Sequence, residues 1–296
     1  MTASNGRPAG PETTRIAVDL LGGEHAPAVV VDGALLASSA DPVLHLHLVG
    51  PPEVADGVLA ACPPGDRHRY TVEPARPDGT ARRAVEALVH GRADAVLSAG
   101  VTGAVVTAAV LGLHRLPGVR KPALAALVPA QANPVVLLDV GASPEVSIAL
   151  LLQHAALGTE YARRVLGIPA PRLGLLSIGA EPGKGDRVRR AADEALRAAR
   201  PDYVGLVEGG DVPLGGPADV VVTDGFTGNV LLKGIEGAFA LAGGVAPHQA
   251  VPRAAALLGV AGTVVVCHGA ASAADIASGI ALAARLHQTT PLEVAT

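Results

Sequence analysis

Tryptophan, lysine, cysteine and long apolar runs are absent or scarce in this chain of 296 residues. It contains no tryptophan, and its two cysteines are Cys62 and Cys267. Neither cysteine belongs to a CxxC pair or a metal-ligand spacing, so the sequence predicts neither a disulfide framework nor a metal site. The net charge of −4 gives no broad basic surface, and we expect no nucleic-acid partner.

Apolar segments are too short to cross a membrane. No uninterrupted apolar run reaches the length of about 20 residues that a spanning helix needs. Residues 1–14 are polar, contain Pro and Gly, and lack the apolar core of a signal peptide. We therefore predict a disordered tail over residues 1–14 and a cytoplasmic, reducing location.

Lysine occurs only at Lys121, Lys184 and Lys233, in a chain that otherwise uses arginine for positive charge. An ammonium is a compact point charge, whereas a guanidinium is a planar fork, and the two are not interchangeable at a binding site. Each lysine is therefore a candidate for a specific role, with chance retention as the alternative.

The order of the remaining patterns predicts an α/β fold. Short apolar runs rich in Val and Leu alternate with helical stretches from residue 15 onwards. This alternation is typical of a doubly wound, mostly parallel sheet with right-handed crossovers. Because no linker is evident, we predict one continuous α/β domain over residues 15–296, either a single body or bilobed.

Glycine and polar residues follow seven of the predicted strands. The clearest case is VTDGFTGN, residues 222–229, where a β-branched strand stops and a helical pattern begins. Free N–H groups at a helix start and close-approaching glycines favour an anion such as phosphate, although a plain helix cap is the alternative for any one loop. In a parallel sheet such loops share one edge, which predicts a single ligand cleft. The loop residues that we expect to contact substrate or phosphate are Gly22, Gly23, Ser98, Gly100, Thr102, Gly103, Asp139, Gly141, Gly179, Asp224, Gly225, Thr227 and Gly228.

The loops do not match the common nucleotide or hydrolase motifs. In residues 179–184 the first glycine is one position too close for a Walker A loop, and Gly185 stands where Ser or Thr should bind magnesium. No G-x-G-x-x-G occurs, which disfavours a nicotinamide enzyme, and no G-x-S-x-G nucleophile elbow is present. We expect no cofactor.

The motifs in their order resemble the phosphate acyltransferase (PlsX) family of bacterial phospholipid synthesis. The stretches that carry the resemblance are DLLGGE, SAGVTGA, LLDVGAS, GLLSIGAEPGKGD, LVEGGD, DVVVTDGFTGNVLLK and CHGAAS. The resemblance implies an α/β/α sandwich of the isocitrate dehydrogenase/phosphotransacetylase-like type. It also implies transfer of an acyl group from an acyl carrier protein thioester to inorganic phosphate, giving acyl phosphate.

The resemblance implies roles for three residues. Lys184 is expected to neutralise phosphate or the tetrahedral intermediate, Asn229 to donate its amide to the oxyanion or phosphate, and His268 to hydrogen-bond phosphate or transfer a proton. The structural alternatives are a surface lysine, a helix cap and a strand-end histidine. Phosphate itself attacks, so no covalent nucleophile is required.

The resemblance also implies partners, which are acyl carrier protein, inorganic phosphate, an acyl chain and a second copy in a homodimer. The family associates peripherally with membranes through a long helical hairpin. Residues 237–263 are too short to form that hairpin here, so we predict a trimmed variant with weaker membrane association.

Two other interpretations stay open. One is a phosphotransacetylase-like enzyme that uses acyl-CoA, and the other is a catalytically silent acyl- or phosphate-binding protein. Val101, Ser143 and Val266 stand where the family usually has Asn, Asn and Lys, which supports a silent protein, whereas Lys184 and Asn229 argue against it. A basic docking patch would favour the carrier protein, and its candidate residues are Arg163, Arg164, Arg187, Arg189 and Arg190.

Overall fold

The computed structural model describes residues 13–131, 133–246 and 250–289, which form eleven strands, nine α-helices and two short 3-10 helices. The strands are β1 Thr14–Asp19, β2 Leu44–Gly50, β3 Tyr70–Pro74, β4 Ala95–Ser98, β5 Ala123–Val128, β6 Val135–Leu138, β7 Leu173–Leu176, β8 Tyr203–Val207, β9 Val220–Val222, β10 Ala254–Leu258 and β11 Thr263–Cys267. The α-helices are α1 Ala28–Ala40, α2 Pro52–Ala61, α3 Thr80–Val89, α4 Thr102–Leu113, α5 Ile148–Val165, α6 Arg187–Ala199, α7 Asp211–Leu214, α8 Gly225–Leu241 and α9 Ala273–Gln288. The 3-10 helices are Pro64–Arg69 and Pro77–Gly79.

All eleven strands pair in one sheet with the order β3-β2-β1-β4-β11-β10-β5-β6-β9-β7-β8. Strands β3, β2, β1, β4 and β11 are mutually parallel and form the first block of the sheet. Strands β6, β9, β7 and β8 are also mutually parallel and form the second block. Between these two blocks lie three successive antiparallel pairs, β11 with β10, β10 with β5, and β5 with β6. Three reversals leave the blocks running in opposite directions, so the carboxyl ends of their strands lie at opposite edges of the sheet.

This arrangement confirms the predicted α/β fold with a mostly parallel sheet, but it corrects the expectation of a single loop-bearing edge. The loops after β1, β4 and β11 lie at one edge, and those after β6, β7, β8 and β9 lie at the other. The sequence did not indicate the reversal, because the direction of a strand is set by its pairing partners and leaves no mark in its own hydrophobic pattern.

Most predicted elements are present within about three residues of their expected ends. The sequence predicts a helix over residues 52–61, and α2 has these bounds. It also predicts Asp186 as the cap of the next helix but one after α4, and Asp186 caps α6 by accepting a hydrogen bond of 2.8 Å from the backbone N–H of Arg189. Strand β10 was not predicted. Thr14 belongs to β1 and not to the predicted tail, and residues 1–12 of that tail lie outside the described residues.

Helices cover both faces of the sheet. Side chains of α3, α4, α7 and α8 share one buried apolar cluster with one face of both blocks. On the opposite face, α1, α2 and α9 pack against the first block, and α5 and α6 pack against the second. Helices α4 and α8 therefore lie on the same face, and both begin in loops that the sequence singled out.

Candidate active site

The loops after β1 and β4 are held together by buried hydrogen bonds. The Ser98 hydroxyl donates to the Asp19 carboxylate at 2.6 Å, and the Gly100 N–H donates to the Ser98 oxygen at 3.0 Å. A side chain at Gly22 would place its Cβ 2.7 Å from the Gly100 nitrogen, so these two loops touch through their backbones. The adjacent Gly23 contacts the loop after β11. Predicted residues Gly22, Gly23, Ser98 and Gly100 thus form one cluster.

The loop after β6 is organised by Asp139, which is fully buried. Its carboxylate accepts four hydrogen bonds of 2.6 to 3.1 Å from backbone N–H groups of residues 124, 141, 142 and 143. These four hydrogen bonds hold the loop in place and occupy the carboxylate oxygens of Asp139. A close contact with Gly228 orders the loop further. A Cβ at Gly228 would lie 2.0 Å from the Asp139 carbonyl oxygen, which brings helix α8 directly against this loop.

The first turn of α8 is fixed by Asp224, which accepts hydrogen bonds from the backbone N–H of Thr227 at 2.8 Å and from its hydroxyl at 2.7 Å. The Arg189 guanidinium contacts the same carboxylate and reaches Asp186 at 2.6 Å. Burial raises the pKa of Asp224, but the hydrogen bonds from Thr227 and Arg189 outweigh it and hold that pKa below its usual range. The neighbouring Gly225 donates its N–H to the Ser143 carbonyl at 2.8 Å.

Arg189 therefore does not belong to a docking patch, because only 14% of its side chain is exposed. Arg163 and Arg164 both pair with Glu160. Three of the five predicted docking arginines are exposed: Arg163, which is paired with Glu160, and Arg187 and Arg190 at the start of α6.

A cavity of about 360 Å³ lies over strands β5 and β10, where the two blocks of the sheet meet. Its wall includes Thr102 from α4, Asn229 from α8 and His268 from the loop after β11. The structure thus brings together three predicted residues that start at opposite edges of the sheet. Gly141 adjoins this group, since its Cβ position is 3.3 Å from the Asn229 amide nitrogen and 3.9 Å from the Thr102 methyl carbon. Gly103 follows Thr102 with open space beside it.

The neutral tautomer of His268 follows from one contact. The Ala270 N–H donates to Nδ1 of His268 at 3.1 Å, so Nδ1 accepts and Nε2 carries the proton. Partial burial of the ring, and after it the positive charge of Lys233, lowers the pKa of His268. A neutral His268 therefore offers an Nε2–H donor to a ligand.

Lys184 is not part of the cavity wall. It lies in the loop after β7, with 49% of its side chain exposed and its ammonium 3.9 Å from the Glu181 carboxylate. The aliphatic part of Lys184 packs against Gly179. Its predicted contact with phosphate stays a prediction.

The lysine that does line the cavity is Lys233, which is one of the three lysines considered for a specific role but is not among the predicted site residues. Its ammonium is 2.9 Å from the Glu236 carboxylate, which lines the same wall. The available signal was its spacing, because Lys233 follows Asn229 by four residues and a helix places such positions on one face.

The rest of the lining is mostly apolar, although Arg253, Asp275 and Ser278 also contribute to it. Leu127, Pro129, Phe239, Val245 and Val251 line the cavity. The cavity wall also contains Cys267, and burial raises the pKa of its thiol to about 12, which favours the protonated, weakly nucleophilic form.

The described residues contain no cluster of His, Cys, Asp or Glu that could hold a metal ion. None of their helices is both long and apolar enough to cross a membrane.

Comparison with known proteins identifies the family of this chain. Residues 14–250 match the family model FA_synthesis, described as "Fatty acid synthesis protein". The chain is 41% identical over 238 residues to a phosphate acyltransferase of Salinibacter ruber, covering 74% of this chain and 70% of the relative. A phosphate acyltransferase of Thermobifida fusca is 39% identical over 315 residues, covering 92% of this chain and 87% of the relative. That matched stretch is longer than this chain, so the relative has residues without a counterpart here.

Solved structures of low sequence identity share the fold. A phosphotransacetylase from Streptococcus pyogenes superposes with a TM-score of 0.69 at 16% identity, covering 93% of this chain and 94% of its own. A branched-chain phosphotransacylase from Enterococcus faecalis gives 0.67 at 17% identity, covering 94% and 100%. The fold is of the predicted phosphotransacetylase-like type, and the sequence matches show that the chain belongs to the PlsX family of phosphate acyltransferases.

Proposed function

We propose that this protein is an acyltransferase that moves an acyl group from a thioester to inorganic phosphate, giving acyl phosphate and a free thiol. The observation that carries the proposal is the mixed lining of the cavity. Thr102, Asn229 and His268 offer hydrogen-bond donors, which suit a phosphate, and the many apolar side chains of the same wall suit an acyl chain. The names of the family relatives support the same reaction.

The reaction needs orientation and charge stabilisation more than a covalent nucleophile. An oxygen lone pair of hydrogen phosphate attacks the thioester carbonyl carbon, and a tetrahedral oxyanion forms. The C–S bond then breaks, the new C–O bond remains, and the proton of hydrogen phosphate ends on the sulfur. Hydrogen-bond donors aimed at the developing oxyanion lower the barrier of such a step.

Asn229 and His268 are the proposed donors. One N–H of the Asn229 amide is held by the Val140 carbonyl at 2.9 Å, which fixes the side chain and leaves its second N–H for a ligand. His268 offers Nε2–H in its neutral form. Lys184 is proposed as a phosphate contact on the family resemblance alone.

The proposed donor is an acyl carrier protein. Arg187 and Arg190 are exposed at the start of α6 and suit an acidic carrier. A cytoplasmic homodimer is proposed on family membership. The weaker membrane association that we propose is supported by the length of residues 237–263, which hold the end of α8 and strand β10.

The test is product analysis by phosphorus NMR. Purified protein, inorganic phosphate and matched acyl thioesters of a carrier protein and of CoA are incubated in parallel. A new acyl phosphate resonance with the carrier thioester supports the full proposal, and one with acyl-CoA alone moves the donor to CoA. Tight binding of phosphate or acyl ligand without any product would show that the protein is a binding protein and not an enzyme.

A further inference from the structure

The cavity contains a cation that no predicted role accounts for. Four charged side chains line it, Lys233 and Glu236 on α8, Arg253 just before β10, and Asp275 on α9. Arg253 is 58% exposed and stands 3.8 Å from Asp275, whereas the Lys233 side chain is 34% exposed. Lys233 is thus the more buried cation of this wall.

Lys233 and Asn229 lie on the same face of α8 and can therefore contact the same ligand. The two residues are four positions apart in α8, so they lie on one face and are separated by one turn, about 5.4 Å along the axis. Both line the cavity. A ligand that accepts a hydrogen bond from the Asn229 amide is therefore within reach of the flexible lysine side chain.

The Lys233 ammonium retains donors for that ligand. An ammonium has three N–H groups. Within the described part of the chain, the Lys233 ammonium donates one hydrogen bond, to the Glu236 carboxylate at 2.9 Å. That contact holds the ammonium in place and leaves two N–H groups for an anion.

Lys233 and His268 line the same cavity, and the two side chains influence each other electrostatically. The positive charge of Lys233 contributes, after partial burial, to the lowered pKa of that histidine. The side chains of Lys233, Asn229 and His268 therefore line one cavity, with the ammonium close enough to the imidazole to act on it electrostatically.

We propose that Lys233 is the residue that binds inorganic phosphate in this cavity, and that Glu236 is a positioning residue that orients the Lys233 ammonium. The inference rests on the proposed function, because it takes phosphate as the second substrate. It assigns the phosphate to a position between Lys233, Asn229 and His268. The ammonium offsets negative charge of the phosphate and, as the carbonyl oxygen becomes an oxyanion, of the tetrahedral intermediate.

The test measures phosphate binding and turnover separately. Lys233→Gln removes the charge and keeps a polar side chain, and Lys233→Arg keeps the charge. The matched control is Arg82→Gln, which removes the cation of an exposed i,i+4 helix pair with Glu86, outside the cavity wall. Calorimetric titration with inorganic phosphate gives the Kd, and steady-state assays give KM for phosphate and for the thioester.

We expect Lys233→Gln to weaken phosphate binding at least tenfold, with KM for the thioester changed less than about threefold. Lys233→Arg should recover part of the affinity, and Arg82→Gln should bind phosphate as wild type does. Glu236→Gln retains a hydrogen-bond acceptor but removes a negative charge near the anion, so its KM for phosphate should fall, whereas Glu236→Ala should lower kcat.

Wild-type phosphate affinity in folded Lys233→Gln would overturn the inference while leaving the proposed reaction intact. Absence of turnover in the wild type would instead remove the proposed reaction, and the calorimetric comparison would still decide whether Lys233 binds phosphate. A titration of His268 by NMR checks the geometry without activity, since its pKa should rise in Lys233→Gln. An unchanged pKa of His268 would contradict the placement.

Discussion

The Asn229 side-chain amide donates a hydrogen bond of 2.9 Å to the backbone carbonyl of Val140. This bond joins the second turn of α8, which begins at one edge of the sheet, to Val140 in the loop after β6, which also lines the cavity. It fixes the direction in which the second amide N–H points. A donor held in advance by the protein stabilises charge without reorganisation during the reaction.

Replacing Asn229 by alanine should therefore reduce catalysis far more than stability. We expect kcat to fall by about 10²- to 10³-fold, the usual cost of removing one oxyanion donor. The melting temperature should change little, because the Asn229 side chain is exposed. Val230→Ala is the control, since Val230 is exposed on the same helix turn. A full kcat in Asn229→Ala would contradict the assigned role.

Gly228→Ala should destabilise the protein. The added methyl group would lie 2.0 Å from the Asp139 carbonyl oxygen and 2.9 Å from the Thr223 methyl carbon, so α8 would have to move away from the loop after β6. We expect a loss of at least about 2 kcal/mol in the free energy of unfolding, measured by urea denaturation.

Gly234→Ala provides the matched control on the same helix. No heavy atom lies within 4 Å of the Cβ position of Gly234. Alanine is favoured over glycine inside a helix, so this variant should gain about 0.5 to 1 kcal/mol. Equal effects of the two substitutions would show that α8 does not approach Asp139 as described.

Arg189→Met should also lower stability, because it leaves the Asp224 carboxylate without its guanidinium partner. Both side chains are largely buried, at 14% and 10% exposure. Removing one member of such a pair costs about 3 kcal/mol or more. Arg187→Met, two residues away on the exposed side of α6, should change the free energy of unfolding by less than about 0.5 kcal/mol. A small loss in Arg189→Met, similar to that control, would argue against the pairing.

His154 should make stability depend on pH between about 7.5 and 5.5. It is fully buried, and burial lowers its pKa, with the Asp139 charge acting in the opposite direction. The unfolded chain therefore binds a proton near the ordinary histidine pKa of about 6.5, while the folded protein does not, and stability is lost as the pH falls.

The comparison that isolates this effect uses His154→Leu. The difference in the free energy of unfolding between pH 7.5 and pH 5.5 should be smaller in the variant than in the wild type. Other histidines titrate equally in both proteins, so they cancel. An identical pH dependence would mean that His154 is protonated in the folded state as readily as in the unfolded chain.

The sequence predicted ten of the eleven strands, most helices and the individual loops, because hydrophobic period and capping residues are local properties. It missed β10, whose residues AAALL carry none of the β-branched side chains that favour a strand. It also could not predict that three antiparallel pairs reverse the second block, since pairing is a long-range property.

The candidate site shows the same contrast between local properties, which the sequence predicts, and long-range properties, which it does not. Asn229, Thr102 and His268 were predicted from local motifs and meet in one cavity. Lys184 was assigned by motif, yet the structure places it outside the cavity wall, whereas Lys233 lies in that wall one turn after Asn229. The strand order and the course of α8 decide which lysine reaches the cavity, and neither is encoded in a single loop.

The most direct test of the central claim is the rate of thiol release from an acyl carrier protein thioester as the phosphate concentration is raised. Wild type, Asn229→Ala, Lys184→Ala and Val230→Ala are measured side by side. We predict saturable, phosphate-dependent release in the wild type and Val230→Ala that is lost in Asn229→Ala, while Lys184→Ala decides whether the loop after β7 contributes. Release that is independent of phosphate, or no release from any thioester by folded protein, would contradict the account.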